Sequence, residues 1–117
     1  MNESFQGIDF DYVYEVCGQN KPFAHNLLRV IYKGLSEYPK KILTYWENKD
    51  EFQLKEMAHK FKSSIAYLYF DEFDNTLDAI ENNSEPLAAL EPLIKKVIDL
   101  SDYAKKAIEE ELAKEEH

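Results

Sequence analysis

The residues best suited to chemistry in this chain are His59 and Lys62, three positions apart in one predicted helix. An imidazole titrates near physiological pH and, when neutral, is a competent nucleophile towards phosphorus. An ammonium group one helical turn away offers a positive charge to the oxygens of a transferred phosphoryl group. The pair therefore predicts a phosphoacceptor histidine supported by a lysine.

The helix that must position this pair is indicated by its apolar spacing, with Leu54, Met57, Ala58, Phe61, Ile65 and Leu68 on one face. At about 100° per residue, His59 lies roughly 140° from the centre of that face, so it should point towards solvent. Ser63 and Ala66 are small enough to let a partner approach the imidazole. We predict a docking surface formed by these two residues together with Lys55 and Lys60.

The charge of the chain limits its partners. The net charge is -9, which argues against binding to nucleic acid or to anionic membrane surfaces. Residues 51–69 differ from residues 101–117, because three lysines outnumber two glutamates in the first segment, whereas six acidic residues outnumber three lysines in the second. The sequence thus predicts a locally positive neighbourhood around His59 that could hold an anionic group.

The cellular compartment is indicated by features that the sequence lacks. It has no apolar run of the roughly 18 residues that a membrane span needs, and no basic-then-apolar leader. Cys17 is the single cysteine, so no internal disulfide can form. We expect a cytoplasmic protein.

Helical periodicity dominates the rest of the 117 residues, and no convincing alternation of period two occurs. A short helix over residues 10–16 should end at Gly18, and a long one capped by Asn20 should run to about Trp46 with a bend at Pro39. Asp50 should begin the His59 helix, which we expect to end near residues 69–70. A helix over 71–80, a loop at 82–86 and a final helix of about 25 residues should follow.

Four long amphipathic helices with short connections bury their apolar faces most simply as an antiparallel bundle. The predicted fold is therefore all-α: an antiparallel four-helix bundle with a short additional N-terminal helix. We expect one domain over residues 1–117, with a flexible terminus over residues 1–8.

The stretch His59-Lys60-Phe61-Lys62-Ser63-Ser64 resembles the His-x-φ-Lys-Gly-Ser signature, with φ apolar, of histidine-containing phosphotransfer domains. The order of predicted helices is similar to that family over nearly the whole chain. The resemblance implies that His59 accepts a phosphoryl group, that Lys62 supports it, and that Ser63 and Ala66 lie beneath a docked partner. Two positions differ from the family pattern, because Ser63 replaces the expected glycine and Tyr69 occupies a later position that is often small.

The resemblance also implies the partners: receiver domains of response regulators or hybrid histidine kinases, whose aspartyl phosphate and Mg²⁺ supply most of the chemistry. The domain itself would be a phosphorelay carrier without ATP binding, kinase activity or a cofactor of its own. We expect a monomer, and Met1 with its uncluttered termini favours a free-standing protein over a fragment of a longer kinase.

Two alternatives stay open. A helical adaptor, or a degenerate member of that family, would bind a receiver or kinase without being phosphorylated, and the residues Ser63 and Tyr69 motivate this alternative. A purely structural or dimer-forming bundle would instead use the long second and last helices.

Other candidate sites are weaker. His25 should lie at the edge of an apolar face, and His117 is terminal. Neither the histidines nor Cys17 have zinc-site spacing. Glu56 and His59 have the Glu-x-x-His spacing of bundle metal sites, but both are predicted to face outward.

Overall fold

The structure, a computed structural model, describes residues 7–114. Within this range the chain forms five α-helices and no β-strand. The helices are α1 (Phe10–Val16), α2 (Lys21–Glu47), α3 (Glu51–Ser64), α4 (Asp71–Glu81) and α5 (Glu91–Ala113). Two short 3₁₀ turns, Ala66–Leu68 and Leu87–Leu90, precede α4 and α5.

Helices α2 to α5 form the predicted bundle. Each packs against its neighbours in the sequence, and α2 closes the ring by packing against α5. Helix α1 lies outside this ring and packs mainly on the 3₁₀ turn after α3. The prediction of a four-helix bundle with an additional N-terminal helix is confirmed.

Aromatic packing in the core fixes the position of α3. Phe61 is fully buried, and its ring makes edge-to-face contacts with Tyr38 of α2 at 5.4 Å and with Phe73 of α4 at 5.2 Å. Contacts of this geometry add to the free energy gained from burying the rings. The predicted apolar face of α3 is buried, which leaves its opposite face for solvent.

The predicted helix starts for α2 and α3 are present. The Asn20 side chain accepts a hydrogen bond from the Phe23 amide, and the Asp50 side chain accepts one from the Gln53 amide. Each carboxylate or amide oxygen satisfies a donor that the first helical turn leaves without a partner. Helix α2 continues through Pro39, as one helix.

Helix α3 ends earlier than the sequence indicated, at Ser64 and not near residues 69–70. Ile65 and Leu68 are buried as the apolar pattern requires, but the Ala66–Leu68 segment is a 3₁₀ turn. Apolar spacing of three residues suits both kinds of helix, so the pattern does not distinguish them. Tyr69 then takes a left-handed conformation, with φ of 54°, and this reverses the chain direction into α4.

One expectation near the N-terminus also needs revision. His25 is buried and not at an edge: its Nε2 atom lies 3.0 Å from the Tyr14 hydroxyl of α1, which donates a hydrogen bond to Glu111 of α5. The predicted flexible terminus over residues 1–8 lies mostly outside the described residues, as does His117. Within the described part, Ile8 packs against the core.

Candidate functional site

His59 lies on the solvent-facing side of α3. Its side chain is 64% exposed, whereas Ala58 before it is fully buried. The helical register therefore places the imidazole outside the bundle by burying the adjacent apolar positions. A partner can reach the ring without any opening of the core.

One edge of the imidazole is held by α4. The Nδ1 atom of His59 lies 2.8 Å from Oε2 of Glu81. An ionised carboxylate only accepts hydrogen bonds, so Nδ1 carries a proton that it donates to Glu81. In the neutral ring this leaves the lone pair on Nε2, the nitrogen on the other side of the imidazole. The geometry thus leaves Nε2 as the ring nitrogen with a free lone pair.

The same carboxylate binds Lys62. The Lys62 ammonium lies 3.0 Å from Oε1 of Glu81 and 2.7 Å from Oδ1 of Asp78. His59, Lys62, Glu81 and Asp78 therefore form one connected network between α3 and α4. We call these four residues the α3–α4 charge network.

These contacts shift the pKa values of three groups in the network. Hydrogen bonds from Lys62 lower the pKa of the Asp78 carboxyl, and they also lower the pKa of the Glu81 carboxyl, to which His59 contributes less. The hydrogen bond to Asp78, followed by that to Glu81, raises the pKa of the Lys62 ammonium. Both carboxylates and the ammonium are thus ionised at neutral pH.

The surroundings of His59 are therefore not positive. This differs from the prediction made from the sequence window of residues 51–69. Two carboxylates of α4 face a single ammonium, that of Lys62. The window of residues 51–69 missed them because Asp78 and Glu81 lie in the next helix along the chain. With a neutral imidazole, the two carboxylates and one ammonium leave the α3–α4 charge network slightly negative.

The four residues predicted to form the docking surface take different positions. Lys55 lies towards α4, where its ammonium binds the Asn83 carbonyl at 2.7 Å and the Glu51 carboxylate at 3.0 Å. Lys60 lies towards α2, with its ammonium 5.6 Å from the centre of the Tyr38 ring. Ser63 and Ala66 are exposed beyond His59 along the chain. Their part in docking stays a prediction.

The second serine of the signature stretch lies against α2 at a close approach of the two helices. Gly34 is buried there, and a Cβ atom added to it would lie 3.6 Å from the Ser64 hydroxyl and 3.0 Å from the Tyr38 ring. A larger residue at position 34 would therefore push Tyr38 aside. The absent side chain lets the end of α3 pack closely on α2.

Sequence reasoning missed Asp78 and Glu81. The available signal was two acids three residues apart, a spacing that places both on one face of α4. Nothing in the spacing of these acids indicates that this face of α4 lies beside the polar face of α3. Asp78 and Glu81 contact side chains of α3 only because the two helices pack together. The order of the helices along the chain does not specify this packing.

Within residues 7–114, the histidine, cysteine and acidic side chains form no cluster suited to a metal ion. In the same range, no helix is both long enough and apolar enough to cross a membrane. Glu56 and His59 are both exposed, as predicted.

The fold is similar to that of a solved protein. The chain matches the crystal structure of the HPT domain from a sensor hybrid histidine kinase of Shewanella with a TM-score of 0.79. The match covers 92% of this chain and 94% of the other, at 20% sequence identity. No family model matches the sequence, and no curated protein matches it. The chain therefore has the fold of a histidine phosphotransfer domain.

Proposed function

We propose that this chain is a member of the histidine-containing phosphotransfer family and a phosphorelay carrier in two-component signal transduction. It accepts a phosphoryl group on His59 from the aspartate of one receiver domain and passes it to another. The observation that carries the proposal is the exposed imidazole on α3, oriented by a carboxylate, in a bundle with the fold of an HPT domain.

The transfer step follows from the tautomer of His59. The Nε2 lone pair attacks the phosphorus of the receiver's aspartyl phosphate, an N–P bond forms, and the P–O bond to the aspartyl group breaks. The electron pair of that bond stays on the aspartate as a carboxylate. The imidazole keeps its Nδ1 proton and becomes positively charged, and Glu81 offsets this charge. Donation to a second receiver reverses the same steps.

We propose that Lys62 supports the phosphoryl group once it is attached. The ammonium has the charge for this role and lies in the same network as the imidazole. It is bound to Asp78 and Glu81 before transfer, which leaves one of its three N–H groups for a phosphoryl oxygen, and these two contacts restrain where the ammonium can move. Its role is therefore tied to the acids of α4.

The proposed function also includes the partners, the compartment and the docking surface. The receiver partners supply Mg²⁺ and the aspartyl phosphate, and this chain acts as a cytoplasmic phosphocarrier with no kinase activity of its own. Lys55, Lys60, Ser63 and Ala66 contribute to the surface on which the receivers dock. The charge of -9 argues against nucleic acid as a partner.

The deciding experiment is label transfer from a receiver domain phosphorylated with ³²P. The parent chain should gain acid-labile label, and a His59→Gln variant should gain none. A His117→Gln variant, with the same change at the last residue, should label as the parent does. Equal labelling of the His59→Gln variant and the parent would show that the acceptor has been misassigned.

The role of Lys62 has its own test. A Lys62→Ala variant should fold as the parent does, since exposed ion pairs contribute little to stability, but it should accept phosphate more slowly. Lys95→Ala removes a lysine that is also paired, with Glu91 on α5, and should leave the transfer rate unchanged. If both variants transfer at the parental rate, Lys62 has no part in the mechanism.

A second candidate function is a helical adaptor that binds a receiver without being phosphorylated. The observation in its favour is that the Lys62 ammonium is already occupied by two carboxylates. Tight binding of a receiver with no acid-labile phosphohistidine would favour the adaptor over the carrier.

A further inference from the structure

Asp78 is the acidic member of the α3–α4 charge network that does not contact the imidazole. Its Oδ1 atom binds the Lys62 ammonium at 2.7 Å, the shortest contact that Lys62 makes in the network, and accepts a second hydrogen bond from Asn82 at 3.2 Å. Glu81 binds both His59 and Lys62, whereas Asp78 binds Lys62 but not His59. Asp78 is thus placed to influence the histidine only through the lysine.

Phosphorylation of His59 would add a second set of acceptors near the Lys62 ammonium. A phosphoryl group on Nε2 adds about two negative charges beside α3, and the oxygens of this group compete with Asp78 for the same ammonium. The free energy of the contact between Lys62 and the phosphoryl group is offset by the free energy of any contact with Asp78 that Lys62 gives up. If Lys62 moves towards the phosphoryl group, the contact with Asp78 stabilises the unphosphorylated state more than the phosphorylated state.

We propose that Asp78 competes with the phosphoryl group on His59 for Lys62, and that it thereby lowers the phosphorylated fraction and favours passage of the group onward. This inference rests on the proposed function and makes Asp78 a positioning residue for that reaction. Because the pair is exposed to solvent, its effect on the ratio of phosphorylated to unphosphorylated chain should be about two- to fivefold.

The first measurement needs no phosphorylation. Side-chain carboxyl signals followed by NMR through an acid titration should show Asp78 titrating below the usual range of an aspartate. In a Lys62→Ala variant the Asp78 titration should move up towards that range, whereas in a Lys95→Ala variant it should stay where it is in the parent. An Asp78 titration that ignores Lys62→Ala would overturn the inference and leave phosphorylation of His59 untouched.

The second measurement uses phosphoramidate, which phosphorylates imidazoles without a receiver. The Nε2 lone pair attacks phosphorus, the N–P bond of phosphoramidate breaks, and ammonia leaves with the electron pair. At fixed concentrations of phosphoramidate and ammonia, intact mass gives the equilibrium ratio of the two forms. Asp78→Asn should raise this ratio about two- to fivefold over the parent, and Asp99→Asn, at an exposed aspartate on α5, should not change it.

A double variant separates competition for the lysine from simple loss of negative charge. If Asp78 acts through Lys62, then Asp78→Asn should change the ratio less than half as much in a Lys62→Ala background as it does in the parent. The remaining effect should be on the order of the screened repulsion between the Asp78 carboxylate and the phosphoryl group. An equal effect in both backgrounds, or no effect in either, would overturn the inference.

The two failures are distinguishable. If the parent forms no phosphohistidine from a phosphorylated receiver or from phosphoramidate, the proposed function fails, and the role of Asp78 fails with it. If the parent is phosphorylated on His59 but Asp78→Asn leaves the ratio unchanged, only the role of Asp78 fails.

Discussion

Replacing Glu81 with glutamine tests how much the carboxylate beside His59 contributes to phosphoryl transfer. Glutamine keeps the length of the side chain and one accepting oxygen, so the imidazole can still be held by a hydrogen bond. The negative charge is removed, and the amide NH2 that replaces Oε1 can no longer accept from the Lys62 ammonium. The reacting imidazole becomes positively charged as the N–P bond forms, and the variant no longer offsets that charge.

The size of the effect follows from the geometry. Two unit charges about 4 Å apart interact by about 4 kcal/mol at an effective dielectric constant of 20. His59 is 64% exposed, so solvent screens most of this energy, and about 1 kcal/mol should remain. A loss of about 1 kcal/mol from the transition state slows the reaction about fivefold.

The assay is single-turnover transfer from a phosphorylated receiver, in excess, stopped by rapid quenching and followed by label on the chain. Saturating receiver separates the transfer rate from docking. Glu85→Gln removes the same charge from the exposed loop before α5 and should leave the rate unchanged. If Glu81→Gln transfers as fast as the parent, or if both variants slow equally, the carboxylate does not stabilise the reacting ring.

Three further predictions concern stability. Phe61→Ala removes the buried ring between α2 and α4 and should lower the free energy of unfolding in urea by about 3–5 kcal/mol; a loss below about 1 kcal/mol would contradict the packing described. Asp78 and Glu81 have lowered pKa values in the folded chain, so their contribution is present above about pH 4–5, near the usual values, and is lost as the pH falls through the lowered ones. Urea unfolding from pH 6 to pH 2 should show this loss, and a loss equally steep in Asp78→Asn would count against it. Tyr14→Phe removes a hydroxyl bonded to an imidazole of α2 and a carboxylate of α5 and should cost about 1–2 kcal/mol, whereas Tyr67→Phe, at an exposed ring, should change stability by less than about 0.5 kcal/mol.

The features that depend on local periodicity could be predicted from the sequence. The buried face of α3 and the exposure of His59 follow from the spacing of apolar residues such as Phe61. The caps at Asn20 and Asp50 follow from the chemistry of the first helical turn. Each of these is decided by residues within a few positions of one another.

The features that depend on which helices face each other could not be predicted from the sequence. The pairing of Lys62 with Asp78 joins residues 16 positions apart across a 3₁₀ turn, and its existence depends on the rotation of α4 about its own axis. The burial of His25 depends on α1 and α5 meeting above α2. The change from α-helix to 3₁₀ turn after Ser64, and the left-handed conformation of Tyr69 that ends this turn, are not encoded by an apolar pattern.

The tryptophan of the chain provides an optical probe of the bundle. Trp46 is the single tryptophan in the sequence, and its indole N–H donates to the Leu87 carbonyl at 2.7 Å, joining the end of α2 to the turn before α5. Opening of that turn would release the indole to water and shift its fluorescence emission to longer wavelength. The α3–α4 charge network lies on other helices, so emission and phosphate labelling can follow bundle opening and transfer separately in one sample.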